Sequence, residues 1–155
     1  MAVLREADPG EVAAIMTVAA QTALAQRSPR EMAIGDPAGV LERVRAMYRR
    51  ALAPGGGGRL LVADTGGGIA GYLLLGIDRP PGKVEPEATV LDVWVSPAWR
   101  GRALAGTLHQ AALQLAARAG TPVLKAMVAL HNAPSLAAHT RSGFAPESYV
   151  CAKRL

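Results

Sequence analysis

Cysteine and clustered metal ligands are scarce in this sequence of 155 residues. Its one cysteine, Cys151, excludes an internal disulfide and a metal centre built on cysteines, and we expect it to be a small core residue. The three histidines, His109, His131 and His139, lack the HExxH spacing of a zinc enzyme. The sequence therefore predicts neither a bound metal nor a cysteine nucleophile.

Long apolar runs are missing as well. The first residues carry no positive end followed by an apolar stretch, so no signal peptide is predicted. The uncharged apolar stretch near the middle, residues 69–77, is much shorter than the ~20 residues that span a bilayer. We therefore expect a cytoplasmic protein without a membrane segment.

Aromatic residues make up only 4% of the sequence, whereas hydrophobic residues make up 50%. The core must therefore be built largely from aliphatic side chains. This amount of apolar material is enough for a substantial core, and the chain length fits one domain covering residues 1–155.

The formal net charge is +5, and arginine carries the excess because lysine occurs only at Lys83, Lys125 and Lys153. A positive balance of this kind suits an anionic ligand. No dense run of basic residues interleaved with aromatics is present, so a nucleic-acid partner is not predicted.

The first half of the chain predicts a strand, two helices and a hairpin. Asp-Pro pairs mark both helix starts, and apolar residues at helical spacing follow each of them. The TGGG segment supplies the tight turn of the hairpin. The elements are a strand at residues 2–6, helices after Asp8 and Asp36, a polar connection at 26–35 between them, and hairpin strands at 59–64 and 69–77.

The second half begins with a proline-containing loop, after which the spacing of the apolar residues alternates between that of a strand and that of a helix. The predicted elements are a loop at residues 78–87, a strand at 89–95, a helix from 104 that ends at Gly120, a buried strand at 122–130, a short helix at 133–142, and a final strand at 149–153. The predicted order is β-α-α-β-β-β-α-β-α-β, which indicates an α/β fold.

The segment 95–108 is the motif that carries chemistry. It predicts a strand that runs into a helix through SPAWRGR, and a helix start presents unpaired N–H groups and partial positive charge to phosphate. Neither the GxGxxG pattern nor the GxxxxGK[ST] pattern is present. Two arginines and four small residues favour close approach of an anion, so the sequence predicts a diphosphate ligand: Arg100, Arg102, Gly101, Ala103, Ala105 and Gly106.

Residues 100–105, RGRALA, resemble the acetyl-CoA signature [QR]-x-x-G-x-[GA] of the GNAT superfamily of N-acetyltransferases. Arg100 and Ala105 match the signature, and Ala103 stands where its glycine is usual. A second segment, residues 132–144, is similar to the family's N-x-x-A-x-x-x-Y-x-[KR]-x-G-F motif. Its asparagine, basic residue, glycine and phenylalanine all match, and His139 stands where tyrosine is usual.

This resemblance implies a mixed, GNAT-like sheet whose fourth and fifth strands splay apart. Pantetheine would lie in the split and pair with the backbone near Val93 and Val95. The pyrophosphate would contact the amides of residues 100–106, and Asn132 would contact pantetheine or orient the helix that follows it. An amine would attack the thioester of acetyl-CoA directly, while a base takes the amine proton and an acid protonates the thiolate. Because many such enzymes are homodimers, a homodimer is also expected.

Two residues are the candidates for the proton transfers. His139 occupies the family's usual acid position and is the expected general acid, although a histidine also suits a base or an ordinary, partly buried position. Asp92 lies on the opposite face of its strand from Val93, where acids often act in this family. It is a candidate base, directly or through water, or else a partner for an arginine or a loop amide.

The predicted function is transfer of acetyl from acetyl-CoA to a primary amine on a small molecule or peptide. Transfer of a longer acyl group stays open. A CoA-binding regulatory or sensor domain without turnover also stays open, because the first motif has an alanine in place of its glycine and the second lacks its tyrosine. Residues 26–35 and 78–87 are the expected specificity walls. The loop acids Glu31, Asp36, Glu85 and Glu87 either attract a cationic amine there or are simply solvated.

Overall fold

A computed structural model describes residues 1–28, 31–32 and 35–148. It contains a five-stranded sheet in the order β1-β2-β3-β4-β5, in which the first four strands pair antiparallel and β5 pairs parallel with β4. The strands are β1 (Val3–Glu6), β2 (Arg59–Asp64), β3 (Ile69–Asp78), β4 (Glu87–Val95) and β5 (Leu124–Ala126), and the helices are α1 (Val12–Ala25), α2 (Pro37–Leu52), α3 (Leu104–Arg118) and α4 (Ala133–Arg141). The predicted mixed α/β fold is confirmed, while the predicted final strand and Cys151 lie outside the described residues.

The sheet is covered on both faces, and each face has its own apolar core. Helices α1 and α2 cover one face, where Tyr48 and Tyr72 are buried. Helix α3 covers the other, where Leu108 packs against Leu73 and Leu75. Because both faces of β2 and β3 are buried, these strands are continuous hydrophobic runs without polar alternation. Within the described residues, no helix combines the length and apolar character that crossing a membrane requires.

The helix starts follow the predicted signals with one difference. The Asp36 side chain accepts a hydrogen bond from the N–H of Ala38 at 3.1 Å and so caps α2. The earlier signal, from Asp8 to Glu11, forms a short 3₁₀ turn at Pro9–Glu11, and α1 begins only after it. There the Asp8 N–H donates to the Glu11 carboxylate at 2.8 Å, as expected in a capping box.

Strand β5 is much shorter than predicted. The sequence predicts a buried strand over residues 122–130, but only Leu124–Ala126 pair, and their side chains are half-buried. These three residues pair with Ala88, Thr89 and Val90 at the start of β4. Beyond that point β4 continues to Val95 without β5 beside it, so the strands separate as predicted. The apolar residues 122–130 could not form a longer strand because the chain leaves β4 after Ala126.

A bulge in β4 coincides with this separation. Leu74 of β3 pairs with Asp92, while the next residue, Leu75, pairs with Val90, so Leu91 is the extra residue. A bulge bends its strand and increases the local twist. The bend lies directly after the last pair that β4 makes with β5, at the opening of the split.

Candidate active site

The open edge of β4 forms the floor of the split. The Ser96 N–H donates to the Ala70 carbonyl at 2.8 Å, so the peptide group of Ser96 faces β3. Because peptide groups alternate in direction along an antiparallel strand, the N–H and C=O groups of Val93 and Val95 face the opposite edge. That edge is the one from which β5 has separated, so both valines present backbone groups to the split, as the resemblance implies.

The turn between β4 and α3 is built on two residues with positive φ. Gly101 has a φ of 75° and Ala103 a φ of 59°, and Ala103 is the only non-glycine residue with positive φ in the described part of the chain. Ala103 is the N-cap of α3 in the left-handed conformation. Its methyl group therefore lies outside helical backbone. A left-handed alanine is strained by about 1 kcal/mol or more, which is a physical reason for the glycine usual at this position.

Backbone N–H groups accumulate at this turn. The Arg100 N–H donates to the Pro97 carbonyl at 3.3 Å, and the first internal bond at the helix start runs from Thr107 to Ala103 at 3.1 Å. The N–H groups of residues 101–106, which lie between these two donors, have no hydrogen-bond acceptor among the residues that the structure describes. The expected cradle of amides covers residues 100–106, but the Arg100 amide is not available to a ligand because it already donates to Pro97. Such a set of free donors at a helix start attracts phosphate.

Two arginines flank these amides. The Arg100 Nε donates to the Val95 carbonyl at 3.2 Å, which ties the turn back to the end of β4. The Arg102 guanidinium lies 5.2 Å from the centre of the Trp99 ring, in a cation–π contact. Both side chains are exposed. Behind the turn, Gly106 faces α4, where a Cβ would lie 3.9 Å from the Ser142 hydroxyl.

A cavity of about 350 Å³ opens beside the split, and it brings both candidate proton-transfer residues, Asp92 and His139, to one site. Its walls come from five parts of the chain. They are Ala23, Gln26, Arg27 and Glu31 at and after the end of α1; Val40, Arg43 and Val44 of α2; residues 90–93 of β4; residues 127–129 after β5; and His131, Asn132, Ser135 and His139 at α4.

Asp92 is held from the side of α2. The Tyr48 hydroxyl donates to Asp92 Oδ2 at 2.8 Å, so the partner is a tyrosine and not the arginine or loop amide considered from the sequence. Burial raises the pKa of Asp92 and also that of Tyr48. The sequence places Tyr48 in the apolar stripe of its helix, and that stripe gives no sign of the contact. The buried hydroxyl of the neighbouring Tyr72 has no hydrogen-bond partner among the described residues.

His139 is buried, and its hydrogen bonds indicate its tautomer. Its Nδ1 lies 2.9 Å from the Ser135 carbonyl oxygen, which only accepts, so Nδ1 carries the hydrogen of the neutral ring. The other nitrogen, Nε2, makes no hydrogen bond with any residue that the structure describes. Nε2 is therefore the nitrogen with a lone pair available to a ligand.

A second histidine packs against the first. The ring centres of His109 and His139 are 4.5 Å apart, and Phe144 contacts both rings edge-on. Ser142 donates to a backbone carbonyl and thus accepts from His109 Nδ1 at 2.8 Å, which leaves the buried His109 Nε2 without a partner in the described chain. Burial, together with His139, lowers the pKa of His109 from 6.5 to about 4. Sequence reasoning missed this pair, because only the fold brings α3 and α4 together.

Asn132 performs one of its two expected tasks. Its side-chain oxygen accepts from the Ser135 N–H at 3.2 Å and so caps α4. Its Nδ2 donates to the Gln26 side chain at 3.1 Å, and His131 Nε2 donates to the Gln26 carbonyl at 2.8 Å. These two bonds join the start of α4 to the end of α1 across the cavity.

Comparison with known families settles what kind of chain carries this site. Residues 24–144 match the model of the Acetyltransferase (GNAT) family. The chain belongs to this family. The prediction of an acetyl-CoA-dependent acyltransferase is thereby confirmed at the level of the family. No curated protein matches the sequence in a direct comparison.

Solved structures share the fold of this acetyltransferase along its length. A protein from Pyrococcus furiosus described as an acetyl transferase has a TM-score of 0.79 at 16% identity, with 100% of each chain covered. A transcriptional regulator from Bacillus halodurans has a TM-score of 0.71 at 19% identity, again with 100% of each chain covered. An aminoglycoside N-acetyltransferase in complex with CoA has a TM-score of 0.65 at 18% identity, covering 99% of this chain and 98% of its own. At such identities the likeness shows the fold.

The two expected specificity walls of this acetyltransferase lie at different places. Gln26, Arg27 and Glu31 from the first wall line the cavity beside the split. The second wall, residues 78–87, contributes no lining residue to that cavity. Lys83 and Glu87 instead line a separate groove of about 470 Å³, where Glu87 pairs with Lys83 and Lys125.

Proposed function

We propose that this acetyltransferase moves the acetyl group of acetyl-CoA to a primary amine, which attacks the thioester directly. The observation that carries the proposal is the continuity of β4. One end of its open edge leads into the turn with the free amides, and its middle borders the cavity with Asp92 and His139. A ligand that binds along this strand therefore reaches from an anion cradle to a pair of proton-transfer groups.

The residues at the donor end fit the parts of CoA. We call the edge of β4 at Val93 and Val95, together with residues 96–106, the donor side. The free amides 101–106 and the two exposed arginines, Arg100 and Arg102, suit a pyrophosphate, which carries negative charge and accepts many hydrogen bonds. The backbone groups of the valines suit the amides of pantetheine. Asn132 caps the first turn of α4 and so contributes by orienting that helix.

The chemistry needs one proton acceptor and one proton donor. The amine nitrogen bonds to the thioester carbonyl carbon, the C–S bond breaks, and one proton of the amine must leave. His139 accepts this proton at Nε2, since its Nδ1–H is held by the Ser135 carbonyl. The imidazolium then returns the proton to the sulfur of CoA. A single histidine thus serves as base first and acid second.

Asp92 supports the same step from β4. We call the side chains that line the cavity from α1, α2, β4 and α4 the acceptor side. A buried carboxylate with a raised pKa is a stronger base than an exposed one and binds the ammonium form of an acceptor. Its Oδ2 is occupied by Tyr48, so a contact with the amine falls to the other oxygen. Asp92 therefore orients the acceptor and takes the extra proton of its ammonium form, directly or through water, before His139 accepts the proton that the amine loses on attack.

The test is an assay of thiol release from acetyl-CoA with a broad amine panel, in parallel with thermal unfolding of the protein with and without CoA. We expect CoA to raise the melting temperature and at least one amine to release thiol, with a product that is heavier by one acetyl group. Stabilisation without release on any amine would favour a CoA sensor. No stabilisation by CoA would contradict both functions.

A further inference from the structure

Two arginines, Arg27 and Arg43, line the cavity from different parts of the chain. Arg27 follows the end of α1, and its Nε donates to the Leu24 carbonyl at 3.1 Å. This bond fixes the stem of the side chain and leaves the terminal nitrogens of the guanidinium available to a ligand. Arg43 lies on α2, and its Nη1 passes over Gly39, where a Cβ would lie 3.6 Å away. In the chain as the structure describes it, neither arginine forms an ion pair with a carboxylate.

The acids of the same cavity do not balance these charges fully. The Glu31 carboxylate accepts from the Ser28 N–H at 2.8 Å, while Ser28 bonds back to the Glu31 N–H, as in a capping box. Asp92 accepts a hydrogen bond from Tyr48. The cavity therefore presents two guanidinium groups against two carboxylates that already have partners, one in the backbone and one in Tyr48.

The other loop acids do not line the cavity, but Asp36 lies near Arg43, since its Oδ2 is 4.0 Å from the point where a Gly39 Cβ would lie. Asp36 caps α2, Glu87 is paired with Lys83 and Lys125, and neither lines the cavity. A polycationic acceptor would thus meet few free carboxylates and two positive side chains. The cavity volume of about 350 Å³ lies at the lower end of the range of small-molecule pockets, so it suits a small acceptor.

We propose that the acceptor amine carries a carboxylate, as an amino acid does, and that Arg27 and Arg43 bind this carboxylate while the amine faces Asp92 and His139. This inference rests on the proposed acetyl transfer and names its substrate class. Guanidinium groups bind carboxylates through paired, charge-assisted hydrogen bonds. Two arginines from separate parts of the chain can hold a carboxylate in one orientation, which fixes the amine next to it.

The experiment compares matched acceptors. Each of a set of L-amino acids is assayed against its own C-terminal amide and against a diamine of similar length, by thiol release from acetyl-CoA, with rates corrected for the fraction of free amine. We expect kcat/KM to be about 10- to 100-fold higher for the carboxylate form, in line with hydrogen bonds to charged groups. Arg27→Gln and Arg43→Gln should each remove most of this preference by raising KM for the carboxylate form.

The control is Arg45→Gln, because Arg45 is exposed on α2 and does not line the cavity. It should retain the full preference. Equal or faster transfer to amides or diamines overturns the carboxylate inference and leaves acetyl transfer intact. A preference that survives the double variant Arg27→Gln/Arg43→Gln overturns it as well. Absence of thiol release with every amine contradicts the proposed transfer itself, and the inference falls with it.

Discussion

The donor side and the acceptor side differ in what they are made of. The donor side is almost entirely backbone: the edge of β4 and the free amides of one continuous segment, residues 93–106. The acceptor side is almost entirely side chains, brought from α1, α2, β4 and α4. A backbone site tolerates sequence change provided that its dihedral angles survive, whereas a side-chain site changes with every substitution. The comparison explains how a family can keep one cosubstrate and vary its acceptors.

The largest effect that separates the two sides is expected at His139. His139→Ala removes the proton-transfer nitrogen, and kcat should fall by about 100-fold or more, the usual scale of general acid–base catalysis. The affinity for CoA should change little, because the cradle is formed by other residues. Turnover is measured by thiol release and affinity by calorimetry. Thr140→Ala, on the exposed side of the same helix, serves as the control, and unchanged kcat in His139→Ala would remove the histidine from the mechanism.

The next effect concerns His109 and pH. Its pKa falls from 6.5 to about 4 in the fold, so the unfolded chain binds the proton more readily and stability is lost as pH falls through this interval. From pH 7 to pH 4.5 this histidine alone should cost about 2.5 kcal/mol of unfolding free energy. Denaturant titrations of the wild type and of His109→Gln measure the slope, which should be shallower in the variant.

His131→Gln makes the same replacement at an exposed histidine outside the pair and serves as the control, so the difference between the two variants reports on the burial of His109. Ion pairs of carboxylates such as Glu11, whose pKa is lowered to about 2, weaken mainly below pH 4.5 and so lie outside the chosen range. An equal slope in His109→Gln would show that burial does not keep His109 neutral.

The two sides also differ in how far a sequence predicts them. The donor side follows from residues adjacent in the chain: a strand, a small-residue turn and a helix start, all visible in one motif. The left-handed conformation of Ala103 is not visible in the motif, because alanine is a residue type that rarely adopts it. The acceptor side depends on contacts between distant residues, such as Tyr48 with Asp92 and Gln26 with His131. No local pattern encodes such contacts.

The same reasoning accounts for the strands. β2, β3 and β4 were predicted within a few residues because each carries its own apolar run and turn signals. β5 was predicted too long because its length is set by where it leaves β4, a property of the pair and not of either strand. The apolar residues near its end, such as Met127, instead border or flank the cavity.

A third prediction tests the long-range contact on the acceptor side. Tyr48→Phe removes the donor to Asp92 and should lower the unfolding free energy at pH 7 by about 2 kcal/mol, the cost of a lost bond to a charged group. Tyr72→Phe removes a buried hydroxyl without a partner in the described chain and should be neutral or stabilising. Denaturant unfolding measures both. The Tyr48→Phe penalty should shrink in acid, where Asp92 is protonated; equal penalties for the two tyrosines would contradict the role of the contact.

The smallest effect is expected at Ala103, on the donor side. Ala103→Gly relieves the left-handed strain of about 1–2 kcal/mol, but glycine also gives the unfolded chain more freedom, so a net gain of about 0.5–1 kcal/mol is expected. Ala105→Gly in the first turn of α3 should lose a similar amount, because there glycine only weakens a helix. Since the strain is present with and without ligand, its relief appears in the stability of the free protein and cancels in CoA binding. Tighter CoA binding by Ala103→Gly would therefore measure crowding of the pyrophosphate by the methyl group, and a loss of stability would show that the turn is not held in the left-handed conformation.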